Sequence, residues 1–150
     1  MITRINIGSG PGTENIEGTL RIDLIPNWCD SVCDIRREKL PVEDGTIEYI
    51  ECHQTLEHIQ LNEDFLFAIK EMHRVLKEGG ILDITVPHKD SEMAYDSYEH
   101  TRYFNESSFM NFYNNRYADE MNLPVFKCLI AERRMHGNGE DEVHITLEKI

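Results

Sequence analysis

Thr3-Arg4-Ile5-Asn6-Ile7-Gly8-Ser9-Gly10-Pro11-Gly12 is the stretch whose reading decides the fold. Its first five residues alternate and are rich in isoleucine, as a strand is, and the glycine-rich run ends that strand abruptly. Gly8, Gly10 and Gly12 let the backbone take positive φ angles and approach a ligand closely. The spacing is not the dinucleotide fingerprint, which wants its third glycine one place later, where Thr13 stands. No Lys-Ser or Lys-Thr pair follows to make a phosphate-binding P-loop.

Outward from this loop, short strands alternate with turns and one clear helix. Leu20 to Leu24 reads as a second strand running into Pro26, Ser31-Val32-Cys33 as a third, and Ile47 to Cys52 as a buried fourth after the turn Glu43-Asp44-Gly45. Phe65, Ile69, Met72 and Leu76 fall at helical spacing, which predicts a helix between Asn62 and Glu78 with Asn62 as N-cap. Gly79-Gly80 stops it, and Ile81 to Val86 makes a strand closed by Pro87. A long polar stretch runs from His88 to Asn105, and Glu106 to Tyr113 reads as a short helix capped by Asn105. Two strands finish the chain, about 125–132 and 142–149, joined at Gly137-Asn138-Gly139 as an antiparallel hairpin. Strand-helix-strand alternation implies an α/β fold with a mostly parallel sheet, here in one domain over 1–150. Ligands of such sheets sit at the carboxyl ends of the strands.

Two acids stand at those ends. Asp23 closes the second strand, fifteen positions past Gly8, where a carboxylate can accept from both hydroxyls of a ribose. Asp34 closes the third, where a carboxylate can accept from an adenine amino group. Each acid alone also fits an ordinary loop Asp or turn cap; the three features in order are what carry weight.

With these residues in place, the sequence resembles the class I S-adenosylmethionine-dependent methyltransferases, in particular their small "type 11" branch, over about residues 3 to 112. Asn6-Ile7-Gly8-Ser9-Gly10 is similar to the family's glycine motif, Arg21-Ile22-Asp23-Leu24 to its ribose acid, and Asp34, followed by Ile35, to its adenine-side acid. Leu40 to Glu48 resembles the turn and opening of the fourth strand. Cys52-His53-Gln54-Thr55-Leu56-Glu57-His58 resembles the motif after that strand, and His73 to Gly80 a helix ending in Arg-Val-Leu-Lys-Pro-Gly-Gly, with Glu78 in the proline position. The resemblance implies a Rossmann-like methyltransferase fold ending in an antiparallel hairpin. It implies S-adenosylmethionine as cofactor, with S-adenosylhomocysteine as product and no metal. The binding residues carried over are Asn6, Gly8, Ser9, Gly10, Asp23, Leu24, Asp34, Ile35, His53 and Gln54.

There are departures. Asn6 stands where the family often has an acid, and it adds no charge. Only twelve residues, Gly8 to Thr19, connect the first two strands, so the early crossover helices are expected to be stunted or absent. The sequence starts directly on its first strand, without the helix that often folds over the cofactor, so an open site is expected unless a second subunit or the substrate covers it.

Methyl transfer from a sulfonium is an in-line displacement that needs the nucleophile held about 3 Å from the methyl group. The acceptor side should come from segments after strands four and five. Tyr98 to Phe104 partly resembles a family segment of the form Asp-Pro-Thr-His-x-Arg-x-Phe. His100 is the candidate base there, or a structural histidine ordering a long loop. Arg102 is a candidate for a substrate carboxylate or phosphate, or for pairing with Glu99 or Glu106. His88 is a second candidate base. His58 is given no chemical role.

The whole composition fits this reading. Acidic residues number 28 against 15 basic ones, a net charge of -13 that repels nucleic acid and anionic membrane surfaces. No apolar run is long enough for a membrane span. Cys29, Cys33, Cys52 and Cys128, with no secretion signal, read as reduced thiols in the cytoplasm; Cys29 and Cys33 have ligand-like spacing but no second pair for zinc. The expected partner is a small-molecule or sugar-type methyl acceptor, with a homodimer through the terminal hairpin as a further expectation. The competing reading is a cofactor-binding module that has lost catalysis and acts by association; the glycine spacing and the Leu-Glu-His and Gly-Gly motifs argue against a nicotinamide oxidoreductase.

Overall fold

Residues 1–136 and 139–150 are described by a computed structural model; Gly137 and Asn138 of the expected hairpin loop lie outside the described residues. The strands are β1 (Arg4–Ile7), β2 (Thr19–Asp23), β3 (Ser31–Val32), β4 (Ile47–His53), β5 (Leu76–Pro87), β6 (Phe126–Met135) and β7 (Asp141–Lys149). They form one sheet in the order β3-β2-β1-β4-β5-β7-β6. The first five pair parallel, and β7 lies antiparallel between β5 and β6. The order reverses between β1 and β4, which leaves a crevice at their carboxyl ends. This is the Rossmann-like architecture expected, hairpin included.

The early crossovers carry no α-helix. Residues 8–18 cross from β1 to β2 through turns alone, and between β2 and β3 there is only a 3-10 turn, Pro26–Trp28. So short a connection holds too few residues for a helix and its two returns.

The principal helix, α1 (Asn62–Val75), buries Phe65, Ala68, Ile69, Met72 and Val75 against the sheet. It ends three residues earlier than its periodicity predicts, because Leu76 pairs with Ile47 and opens β5. Asn62 is not its cap. That position is Leu61, and the Asn62 side chain instead accepts from Arg102 Nη2 at 2.9 Å. The predicted helix at 106–113 is a series of turns with a 3-10 segment at Met110–Phe112, since the Asn105 side chain accepts from Ser107 N and closes a local turn. A second short helix, α2 (Asn115–Met121), follows; its cap is Asn114.

Register divides the sheet into two chemically different faces. Ile5, Ile7, Ile22, Ile50, Cys52, Leu82, Ile84, Ile145 and Leu147 fall on one face and form the core under α1. Phe65 carries this core outward, with the rings of Phe104, Phe109 and Phe112 centred 6.0 to 6.4 Å away. The alternate residues, Asn6, Arg21, Glu51, His53, Asp83, Thr85, His144 and Thr146, fall on the other face. There Asp83 accepts from His53 Nε2 at 2.8 Å, His144 Nε2 at 2.7 Å and Thr146 Oγ1 at 2.9 Å, which joins β4, β5 and β7. Burial opposes its charge, but these bonds outweigh it and hold the Asp83 carboxyl well below the usual range. Among the described residues no helix is long and apolar enough to cross a membrane.

Candidate active site

The turn after β1 is built on the end of β2. Gly8 N and Ser9 N donate to Ile22 O at 2.8 and 3.2 Å, and Ser9 Oγ donates to Trp28 O at 2.8 Å. Gly8 has φ of +68°, and a Cβ there would lie 2.0 Å from Thr55 Oγ1, so both the backbone angle and the space call for glycine. Asp23 then fixes the loop. Its Oδ2 accepts from Gly10 N at 3.0 Å, and its Oδ1 from Leu24 N at 2.7 Å and Ile25 N at 3.2 Å.

These residues open onto a cleft of about 410 Å³ at the carboxyl ends of β1, β2 and β4. Gly8, Gly10, Asp23 and Leu24 form one side, Cys33, Asp34 and Ile35 the next, and Gln54, Thr55, His58 and Glu99 the far side, with Trp28 between. Asp34 is paired bidentately with Arg36, at 2.8 Å to both nitrogens, and that guanidinium holds its carboxyl below the ordinary value. Burial pushes the Cys33 thiol up to about 11, so it stays protonated at neutral pH. Gln54 adopts the left-handed backbone at φ of +50°, uncommon for a residue with a side chain, at the tip of β4.

Of the ten expected binding residues, seven line this cleft: Gly8, Gly10, Asp23, Leu24, Asp34, Ile35 and Gln54. Ser9 supports the loop from behind. Asn6 and His53 point away, onto the polar sheet face, because alternation along β1 and β4 puts them opposite Ile7 and Cys52.

None of the three expected catalytic residues lines the cleft. Arg102 donates to Ile59 O at 3.0 Å and Gln60 O at 3.4 Å, and its guanidinium stacks over Phe65, so it clamps the entry to α1 rather than reaching for a substrate. His88 is buried, with Nε2 3.2 Å from Glu106 Oε2 and Nδ1 accepting from Asp90 N at 3.1 Å, so neither nitrogen is open to a substrate. His100 lies one layer behind the wall, its ring edge-on to His58 with centroids 4.8 Å apart. His58 and Glu99 occupy the wall instead. The signal for His58 was its place at the end of the motif Leu56-Glu57-His58; that for Glu99 was adjacency to His100.

Residues 22–84 match the family model described as a methyltransferase domain. No curated protein matches the chain. Solved structures share its fold. One is the 1,6-didemethyltoxoflavin-N1-methyltransferase of Burkholderia thailandensis with bound 1,6-didemethyltoxoflavin and S-adenosylhomocysteine (15% identity, TM-score 0.66, 97% of this chain and 70% of that one). Another is the N-methyltransferase NodS of Bradyrhizobium japonicum WM9 with S-adenosylhomocysteine (13%, TM-score 0.60, 99% and 78%). A third is the [4+2]-cyclase SpnF (17%, TM-score 0.68, 99% and 75%). Strand order and crevice define a methyltransferase-type Rossmann fold. The domain match over residues 22–84 agrees with that fold and supports a class I S-adenosylmethionine-dependent methyltransferase.

Proposed function

We propose that the chain, as a single cofactor-binding domain, transfers a methyl group from S-adenosylmethionine to a small-molecule or sugar-type acceptor. The observation that supports this most is one cleft, at the reversal of strand order, walled by the glycine turn and by both Asp23 and Asp34. The residues fit the group: the cradle at Gly8 has no room for a side chain, and the cleft volume is within the range of small-molecule sites. In this reading Asp23 receives the ribose hydroxyls, Asp34 and Ile35 face the adenine, and the Gln54 backbone faces the methionine part. The bound cofactor supplies a methyl group on a positively charged sulfur. Asp23, Asp34 and Glu99 give the cleft three carboxylates against the single guanidinium of Arg36, a field that favours a cation.

The acceptor approaches on the side of His58 and Glu99, which line the wall where His100, Arg102 and His88 were expected. Holding it in line is the main task of the wall, and a neutral amine acceptor needs only desolvation there. Calorimetric titration with S-adenosylmethionine, S-adenosylhomocysteine and NAD tests the reading. Micromolar binding of the two sulfur nucleotides and none of NAD is the expected result. Binding of NAD alone, or of none of the three, overturns it; nucleotide binding with no methylation of any acceptor leaves the inactive binding module.

A further inference from the structure

We propose that Glu57, His58 and His100 form a binding site for one divalent first-row transition ion, such as zinc, at the lip of the cleft. One carboxylate oxygen and one ring nitrogen from each histidine lie within 4.8 Å of one another. Two imidazoles and a carboxylate are a donor set suited to zinc or ferrous iron, and they leave coordination positions open for a further ligand.

Two further observations point to a cation. Glu57 is only 2% exposed, yet its Oε2 has no hydrogen-bond partner. A buried carboxylate oxygen without a partner is costly, and a bound cation removes that cost. His100 is oriented as metal-binding histidines are. Its Nδ1 lies 2.8 Å from Met93 O, and because a carbonyl only accepts, Nδ1 carries the proton and Nε2 keeps its lone pair. His58 Nε2 is 3.9 Å from Glu57 Oε1. The backbone keeps the two halves together, since Thr101 N and Arg102 N both donate to Glu57 O, at 2.9 and 3.2 Å.

Ligand atoms around a tetrahedral zinc lie roughly 3.3 Å apart, so the cluster must close by about 1.5 Å. His58 can supply this by rotating, because its side chain is 39% exposed. The His53–Asp83–His144 cluster is a poorer candidate. Both of its imidazole Nε2 atoms already hydrogen-bond the carboxylate between them. His58 and Glu99 both line the cleft, so an ion held here sits at its edge. The site departs from the expectation of no metal and stands independently of how the nucleotide binds.

The test uses the full chain without an affinity tag, stripped with chelator and titrated with Zn²⁺ by calorimetry and with Co²⁺ by visible absorption. One equivalent should bind. His58→Ala, Glu57→Gln and His100→Gln should each weaken binding by about 100-fold or more, while His53→Ala leaves it unchanged. His58→Ala changes a surface side chain and keeps the fold, which circular dichroism checks. Absence of binding to the wild type, or binding that survives His58→Ala, overturns the proposal. A wild type that binds S-adenosylhomocysteine but neither ion also overturns it, and leaves the methyltransferase reading intact.

Discussion

Asp23 sits where the glycine turn meets the cleft, with three backbone amides already on its carboxylate. Asp23→Ala should weaken S-adenosylhomocysteine binding by about 1.5–3 kcal/mol, roughly 10- to 150-fold in Kd, by titration calorimetry. Unchanged affinity in a folded variant would move the ribose elsewhere. Two neighbouring glycines separate backbone strain from collision. Gly12 has φ of +76° but nothing within 4 Å of an added Cβ, whereas Gly8 adds the Thr55 contact. Gly12→Ala should therefore cost about 1–3 kcal/mol in urea unfolding and Gly8→Ala clearly more. Equal losses would mean that Thr55 moves aside freely. At this scale the cleft walls formed by the glycine turn, Asp23 and Asp34 were legible, because a glycine turn and an acid at a strand end act through backbone position, which sequence spacing encodes. The surroundings of the long loop were not. Arg102 and His88 carry chemistry in their side chains, but their partners, Ile59, Gln60 and Glu106, are set by how a long loop folds back.

Between elements, Asp83 joins β4, β5 and β7 through His53, His144 and Thr146. Its folded pKa is depressed, so its contribution is present above the unfolded carboxylate value near 4 and is lost as pH falls below that. Asp83→Asn should destabilise the fold by about 2 kcal/mol at pH 7, and the gap from wild type should narrow progressively below pH 4. Denaturant unfolding at a series of pH values reads this directly; a gap that stays constant down to pH 2 would place the stabilisation in packing rather than charge. The strands were legible from alternation. The end of α1 was not, because Leu76 satisfies the helical period equally well and only its pairing with Ile47 decides for the strand. Likewise α2 has seven residues, too few for its period to stand out from the turns around it.

Across the molecule, protection against hydrogen exchange should follow the sheet. Amides of β1, β4, β5 and β7, central and backed by the apolar core, should exchange slowest, and those of 8–18 and 88–105, which lie almost wholly outside regular ladders, fastest. Mass spectrometry after deuterium labelling measures this, and slow exchange across 8–18 would contradict the turn-only crossover. Saturation with S-adenosylhomocysteine should slow the glycine turn selectively. The acidic character and the parallel-then-antiparallel order were legible in the whole sequence; the division of the sheet into an apolar and a hydrogen-bonded polar face was written in the same alternation, in pairs such as Asp83-Ile84 and His144-Ile145.

The position of β7 also sets an order of events during synthesis. A ribosome makes β6 before β7, yet among the described residues β6 pairs in the sheet only with β7, and β7 joins it to β5. Until residues 141–149 have emerged, the nascent chain therefore presents an unpaired β5 flank and an orphan β6, the two surfaces most open to wrong pairing with other chains. Translation that stalls just short of residue 141 would leave a nearly complete cleft on a sheet that cannot yet close.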